Sequence, residues 1–152
     1  MTIFHINTAA LATGFALITA CSSLLAENDN EPVEPLALFA IMQEMGENMQ
    51  TITAAIVSED WETVVETSTL IADHPQPPLG EKIRILAFIG TDVSAFKDHD
   101  GKTHQAAQQL GQVAESEDGE AVIAAFADLQ RSCLSCHQRF RQSFKAHFYG
   151  QQ

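Results

Sequence analysis

Residues 121–148 read AVIAAFADLQRSCLSCHQRFRQSFKAHF, and a single apolar stripe runs through them. Val122, Phe126, Leu129, Cys133, Cys136, Phe140 and Phe144 recur at spacings of 4, 3, 4, 3, 4 and 4. That repeat belongs to a helix with one buried face. The same face carries Cys133-Leu134-Ser135-Cys136-His137, a C-x-x-C-H box, which is the attachment signature of a c-type haem. Two thiols three positions apart lie on one side of a helical turn, so they can bond to two vinyl groups along one porphyrin edge. His137 follows directly, where its imidazole can bind iron axially. With 3 Cys and 6 His in 152 residues, chance completion of the box after any one Cys is roughly one in a thousand. A thioredoxin-like dithiol would need a βαβ pattern, and no strand-like run is present. A zinc half-site would need a second Cys pair, which the chain lacks.

The rest of the chain reads as helix as well. A first helix is expected from about Pro35 to Val57, with Glu34-Pro35 at its start. Leu38, Met42, Met45, Met49, Ile52 and Ile56 form its a/d seam. A second helix begins at Ser58-Glu59-Asp60 and runs to about Asp73, with Trp61, Val64, Val65, Ser68 and Ile71 facing inward. Pro75, Pro77 and Pro78 stop it. In the third segment, Glu81–Ile89 is apolar on one side. Gly90-Thr91 either interrupts it or lets Thr91 cap the main part, whose seam is Val93, Phe96, Thr103, Ala107, Leu110 and Ala114. Asp98-His99-Asp100-Gly101 weakens that helix. Asp118 is a fair N-cap for the last. Four amphipathic segments with short connections predict an all-α, antiparallel four-helix bundle over residues 35–149, with the haem attached on the last helix.

Residues 1–26 contain no Asp, Glu, Lys or Arg, and Ala9–Ala20 is apolar but shorter than the ~20 residues of a membrane span. They read as a signal peptide. Ile18-Thr19-Ala20-Cys21 resembles a bacterial lipobox, so two readings stand: a lipid on Cys21 anchoring the protein to a membrane face, or cleavage after Ala26. Residues 27–34 form an acidic tether. Export and the haem box agree, since such boxes are loaded outside the cytoplasmic membrane. The expected place is the periplasm, free or lipid-anchored.

The net charge is −12, and it is unevenly spread. Glu27 through Glu81 holds 12 acids and no base, whereas from Lys82 onward 8 acids face 8 bases. Nucleic acid is not an expected partner. The acids serve solubility, or form a face that steers a basic redox partner.

A single C-x-x-C-H near the C-terminus, on the last helix of a four-helix bundle, resembles class II cytochromes c, the cytochrome c′ and cytochrome c-556 group. AIMQEMGENMQTI on the first helix, SAFK on the third and AAFADLQRSCLSCHQRFRQSF on the last carry the resemblance. It implies one covalent haem c, with Cys133 and Cys136 as thioether residues and His137 as proximal ligand. Arg141 matches the basic residue that members place beside the proximal imidazole; it also reads as a surface Arg at a helix end. Met42 falls at the position facing the distal side of the iron, where the c-556 type has a ligating Met and the c′ type a bulky non-ligand. Its alternative reading is a core residue of a Met-rich stripe, with Met45 the second candidate ligand. One departure stands out: Leu38 occupies the place where members often carry a propionate-binding Arg.

The resemblance leaves two functions. One is a periplasmic electron carrier with His137 and Met42 as axial ligands. The other is a five-coordinate protein that binds NO or CO at an open distal face. An enzyme is not expected, because no general base, nucleophile or second metal constellation accompanies the box. Family members often dimerise through the first two helices; here their uniformly acidic charge predicts a weak homodimer or none. His74 reads as solvent-facing, and His99 and His104 as surface residues, with no support for His104 as a ligand. Trp61 reads as a core anchor.

Overall fold

The computed structural model describes residues 35–150. The expected signal peptide, Cys21 and the 27–34 tether lie outside the described residues. Six α-helices follow in order: α1 (Ala37–Val57), α2 (Trp61–Ala72), α3 (Leu79–Ile89), α4 (Val93–Ala114), α5 (Gly119–Cys136) and α6 (Gln142–Phe148). A 3₁₀ turn at Gly90–Asp92 joins α3 to α4, and a π-helical turn at His137–Arg141 makes α5 and α6 one continuous rod. That rod, α1, α2 and α4 are the four helices of an antiparallel bundle. There is no strand among the described residues. α4 packs along both α5 and α2, α1 packs on α2, and α1 touches α5. α2 and α5 are therefore diagonal.

The two tight corners are built alike. Glu59 and Glu117 each adopt a left-handed φ of 57°, directly before an aspartate N-cap. Asp60 accepts from the Thr63 N–H at 3.1 Å and from its hydroxyl at 2.7 Å. Asp118 accepts from the Ala121 N–H at 3.2 Å. Each cap satisfies an orphan donor of the first helical turn. The Trp61 ring lies across the start of α5, 3.5 Å from where a Cβ on Gly119 would be. Both corners thus hold their helix pairs at the same end of the bundle.

Two cores result. The main one joins Ile52, Ala55, Val64, Ile71, Ala107, Leu110, Val122 and Leu129 from all four bundle helices. Each fully buried Ile or Leu there contributes about 1.5–3 kcal/mol. α2 and α4 approach closely at Ser68 and Gly111: a Cβ on Gly111 would sit 3.5 Å from the Ser68 Cβ. The second core brings Leu36, Ile85, Phe144 and Phe148 together, with Phe88 and Phe96 packed against it. α3 exists to close this second core.

The expected first-helix seam is shifted. Ile41, not Met42, is the buried residue near the start of α1, and Met42 is 38 % exposed. Ile41 belongs to the same inward stripe as Met45, Asn48, Ile52 and Ala55, which shares Met45 and Ile52 with the expected seam and takes Ile41, Asn48 and Ala55 beside them. Among the described residues no local acid caps the start of α1, and the expected Glu34 lies outside them. Leu36 is the N-cap and offers no side-chain bond. Instead Glu81, far along the chain on α3, accepts from the Ala37 and Leu38 N–H groups at 2.7 and 2.9 Å. The third segment divides into α3 and α4, and Thr91 caps neither, lying inside the 3₁₀ turn. Asp98–Gly101 stays helical, supported by the Asp98–Lys102 pair at 2.6 Å.

Two substitutions test this description. Glu81→Ala leaves two N–H groups of α1 without acceptors and lowers the unfolding free energy by about 1–2 kcal/mol in denaturant titration. Ser68→Ala acts the other way. The Ser68 hydroxyl is buried with no hydrogen-bond partner, so its removal raises stability by about 1 kcal/mol in the same titration.

Candidate functional site

The box occupies the junction between the two cores. Cys133 packs on the main core, and beyond the box Phe144 and Phe148 enter the second. A rod that feeds both cores needs apolar residues on one face throughout. Cys136, Phe140, Phe144 and Phe148 advance by four residues each time. Such steps drift by about 40° per turn on a regular α-helix. The wider π turn at His137–Arg141 absorbs part of that drift, and Phe140 at its centre stays buried. The proximal-ligand candidate thus stands at the first position of a π turn, a common location for functional residues.

Cys133 and Cys136 are both free thiols, each partly buried. Burial raises the proton affinity of both, and Cys136 is pushed up to about 11, with the nearby Asp100 charge adding to the effect and Cys133 contributing last. Both are therefore protonated thiols at neutral pH. His137 behaves oppositely. Although much of the residue is exposed, the burial its ring does have lowers its affinity for a proton, and the Arg141 charge adds to this. Its imidazole is neutral at pH 7, the form a metal ion requires. Two thiols one helical turn apart and an adjacent neutral imidazole suit a covalently attached haem in both spacing and chemistry. Arg141 lies one turn beyond His137 and is exposed.

α1 supplies the third element. Met45 and Met49 pack on the main core, whereas Met42 keeps 38 % of its surface open. Met42 is therefore not the core residue that its stripe suggested. Its helix touches α5. Leu38, standing where relatives carry an arginine, packs on the second core.

Several polar contacts around the box were not legible in the sequence. The Ser135 hydroxyl donates to the Ser132 carbonyl at 2.9 Å, so its oxygen accepts from His99 Nδ1 at 3.1 Å. This ties the box to α4. Phe140 receives the edges or faces of Phe96 and His99 in T-shaped contacts, and the Arg139 guanidinium lies over its ring. His104 does not point to a ligand role: its Nδ1 meets the Ala72 carbonyl at 2.5 Å. His74 is not solvent-facing. Its Nδ1 meets the Ile71 carbonyl at 3.0 Å and its Nε2 lies 3.5 Å from Asp100, with only 10 % of the side chain exposed. The contact pins the proline loop to α4, and no sequence spacing links residues 74 and 100.

That pair makes stability depend on pH. Asp100 raises the proton affinity of His74 above the ordinary 6.5. This contribution is complete below pH 6.5 and disappears as pH rises through the raised value. His74 in turn lowers the Asp100 affinity below the ordinary 3.8. That share is complete above pH 3.8 and disappears as pH falls through the lowered value. The pair is fully effective between about pH 4 and 6.5. Thermal unfolding of wild type and His74→Gln across pH 5–8 is expected to show the largest difference near pH 5–6, shrinking toward pH 8.

Among the described residues, no helix is long and apolar enough to cross a membrane. No curated protein and no solved structure shows a significant match to the chain. The family model described as Cytochrome C′ matches residues 37–141, from the first residue of α1 to the last of the π turn. With the haem box, the bundle and that match in agreement, the chain belongs to the cytochrome c′ family.

Proposed function

We propose that this c-type cytochrome is a periplasmic one-electron carrier in which His137 and Met42 are the axial ligands of a single haem c. The observation that carries the reading is the exposure of Met42. Of the methionines at 42, 45 and 49, the latter two are packed on the core, and Met42 is the one not committed to it.

A haem held through Cys133 and Cys136 would supply one-electron chemistry at its iron. The protein's own residues decide what that iron can do. A neutral imidazole from His137 and a thioether from Met42 would hold such an iron low-spin, with little reorganisation opposing electron transfer. The bond from His99 to Ser135 and the aromatic contacts of Phe140 hold the box and the π turn rigidly against α4. The packing of Cys133 on the core excludes water from one side of the attachment.

The export reading belongs with this function, since the partners of an exported carrier are other periplasmic redox proteins. The exposed acids Glu44, Glu47, Glu62 and Glu66 on α1 and α2 oppose self-association through those helices.

Optical spectra of the holoprotein, oxidised and dithionite-reduced, with and without CO, decide between carrier and gas binder. The expected result is a low-spin spectrum that CO barely changes. Met42→Ala is expected to become high-spin and to bind CO at once. A wild type already high-spin and CO-reactive would assign Met42 to packing and the distal face to NO or CO.

A further inference from the structure

We infer that the outer side of α3 is a docking surface for an anionic phospholipid bilayer. The inference rests on the export reading and is independent of the axial ligands. Leu79, Ile83 and Leu86 follow at spacings of 4 and 3 and form one stripe along α3. Leu79 is 73 % exposed and Ile83 59 %, and Leu86 is partly exposed. At about 100° per residue, Glu81, Ile85 and Phe88 stand roughly 140–160° around the helix from Ile83. Those three are committed inward. Ile85 is buried in the second core, Phe88 packs against it, and Glu81 caps α1. Phe88 meets Phe144 and Phe148 of the rod edge-on. The stripe therefore faces away from the rod that carries Cys133 and Cys136, and the attachment point does not account for it.

Apolar side chains flanked by bases are what a helix lying on a membrane surface presents. No Lys or Arg precedes Lys82 in the chain, and the first two, Lys82 and Arg84, stand on either side of Ile83. No acid follows them until Asp92. Lys82 donates to the Gln76 side-chain oxygen at 3.2 Å, and the Arg84 guanidinium lies over the Phe148 ring at 5.8 Å. Among the described residues neither takes part in an ion pair. Both charges are open to lipid phosphates, while their stems extend along apolar surface. Within a Debye length of about 8 Å the nearest charges govern approach, so an anionic surface attracts the outer side of α3 and repels the acids of α1 and α2. The path of the chain leads to the same side. The Ala37 N–H, where α1 begins, bonds to Glu81 on α3 at 2.7 Å. Residues 22–34 span at most about 45 Å when fully extended. A lipid on Cys21, one of the two readings of the N-terminal stretch, would keep α3 within that reach of a bilayer and raise the local concentration of surface. The form without lipid docks through the stripe and its two bases alone.

The test uses holoprotein exported and cut before Glu27, which carries no lipid. Vesicles of phosphatidylethanolamine and phosphatidylglycerol should sediment several-fold more of it than vesicles of phosphatidylcholine, and added salt should lower the difference. Leu79→Gln/Ile83→Gln should reduce binding several-fold, and Lys82→Gln/Arg84→Gln should remove the preference for phosphatidylglycerol; unchanged haem spectra verify the fold. With a spin-labelled lipid in the vesicles, amide broadening in ¹⁵N-labelled protein should centre on residues 79–87. Equal binding to both kinds of vesicle, undiminished binding of Leu79→Gln/Ile83→Gln, or broadening centred on another helix would overturn the proposal. So would amide shifts on α3 that grow with protein concentration in the absence of vesicles, which would give the stripe to a second copy of the chain. Cell fractionation tests the export reading separately: protein found in the cytoplasm that still binds vesicles through α3 would sink export and uphold the surface.

Discussion

The last helix must do three things with one face. It buries Val122 and Leu129 in the main core, buries Phe140, Phe144 and Phe148 at the other end, and places Cys133, Cys136 and His137 between them. A regular α-helix with these spacings would rotate the phenylalanines off the core by about 40° per step. The π turn at His137–Arg141 resolves the conflict. The site is thus fixed from both ends: α4 and the main core hold Cys133, and α3 with the start of α1 holds Phe144 and Phe148. Glu81 then joins α3 to the first N–H groups of α1, so the helix carrying Met42 is tied to the same end of the molecule.

The electrostatics follow the same division. α1 and α2 carry acids and no base, and four of the eight bases lie on the rod that bears the box. Elsewhere in the bundle the charge pairs are few and local. His74 and Asp100 form a pair between the proline loop and α4, and Asp100 is close enough to raise the Cys136 thiol further. Burial and this charge disfavour only the thiolate, so Cys136 rests as the neutral thiol.

Much of this was legible in the sequence because it is local. The box, the stripe of the last helix, the aspartate caps at Asp60 and Asp118 and the prolines ending α2 all act within a few residues of themselves. What was not legible acts between distant residues. Glu81 caps a helix whose start lies more than forty residues earlier, a contact that no local spacing announces. The His74–Asp100 and His99–Ser135 contacts depend on which helices become neighbours. Met42 was placed in the core because the 4-3-4-3 count through the methionines is as regular as the true stripe. One residue separates the two, and the packing of α1 on α2 chooses Ile41. The π turn did leave a trace, the repeated steps of four from Cys136 to Phe148, which extend the stripe past the point where a 3.6-residue helix could keep it buried.

The central claim is that iron in this protein is held between His137 and Met42. Iron K-edge X-ray absorption of the holoprotein, oxidised and reduced, tests it most directly. The account predicts one sulfur in the first coordination shell in both states, lost in Met42→Ala. A first shell of nitrogen alone in the wild type would contradict it.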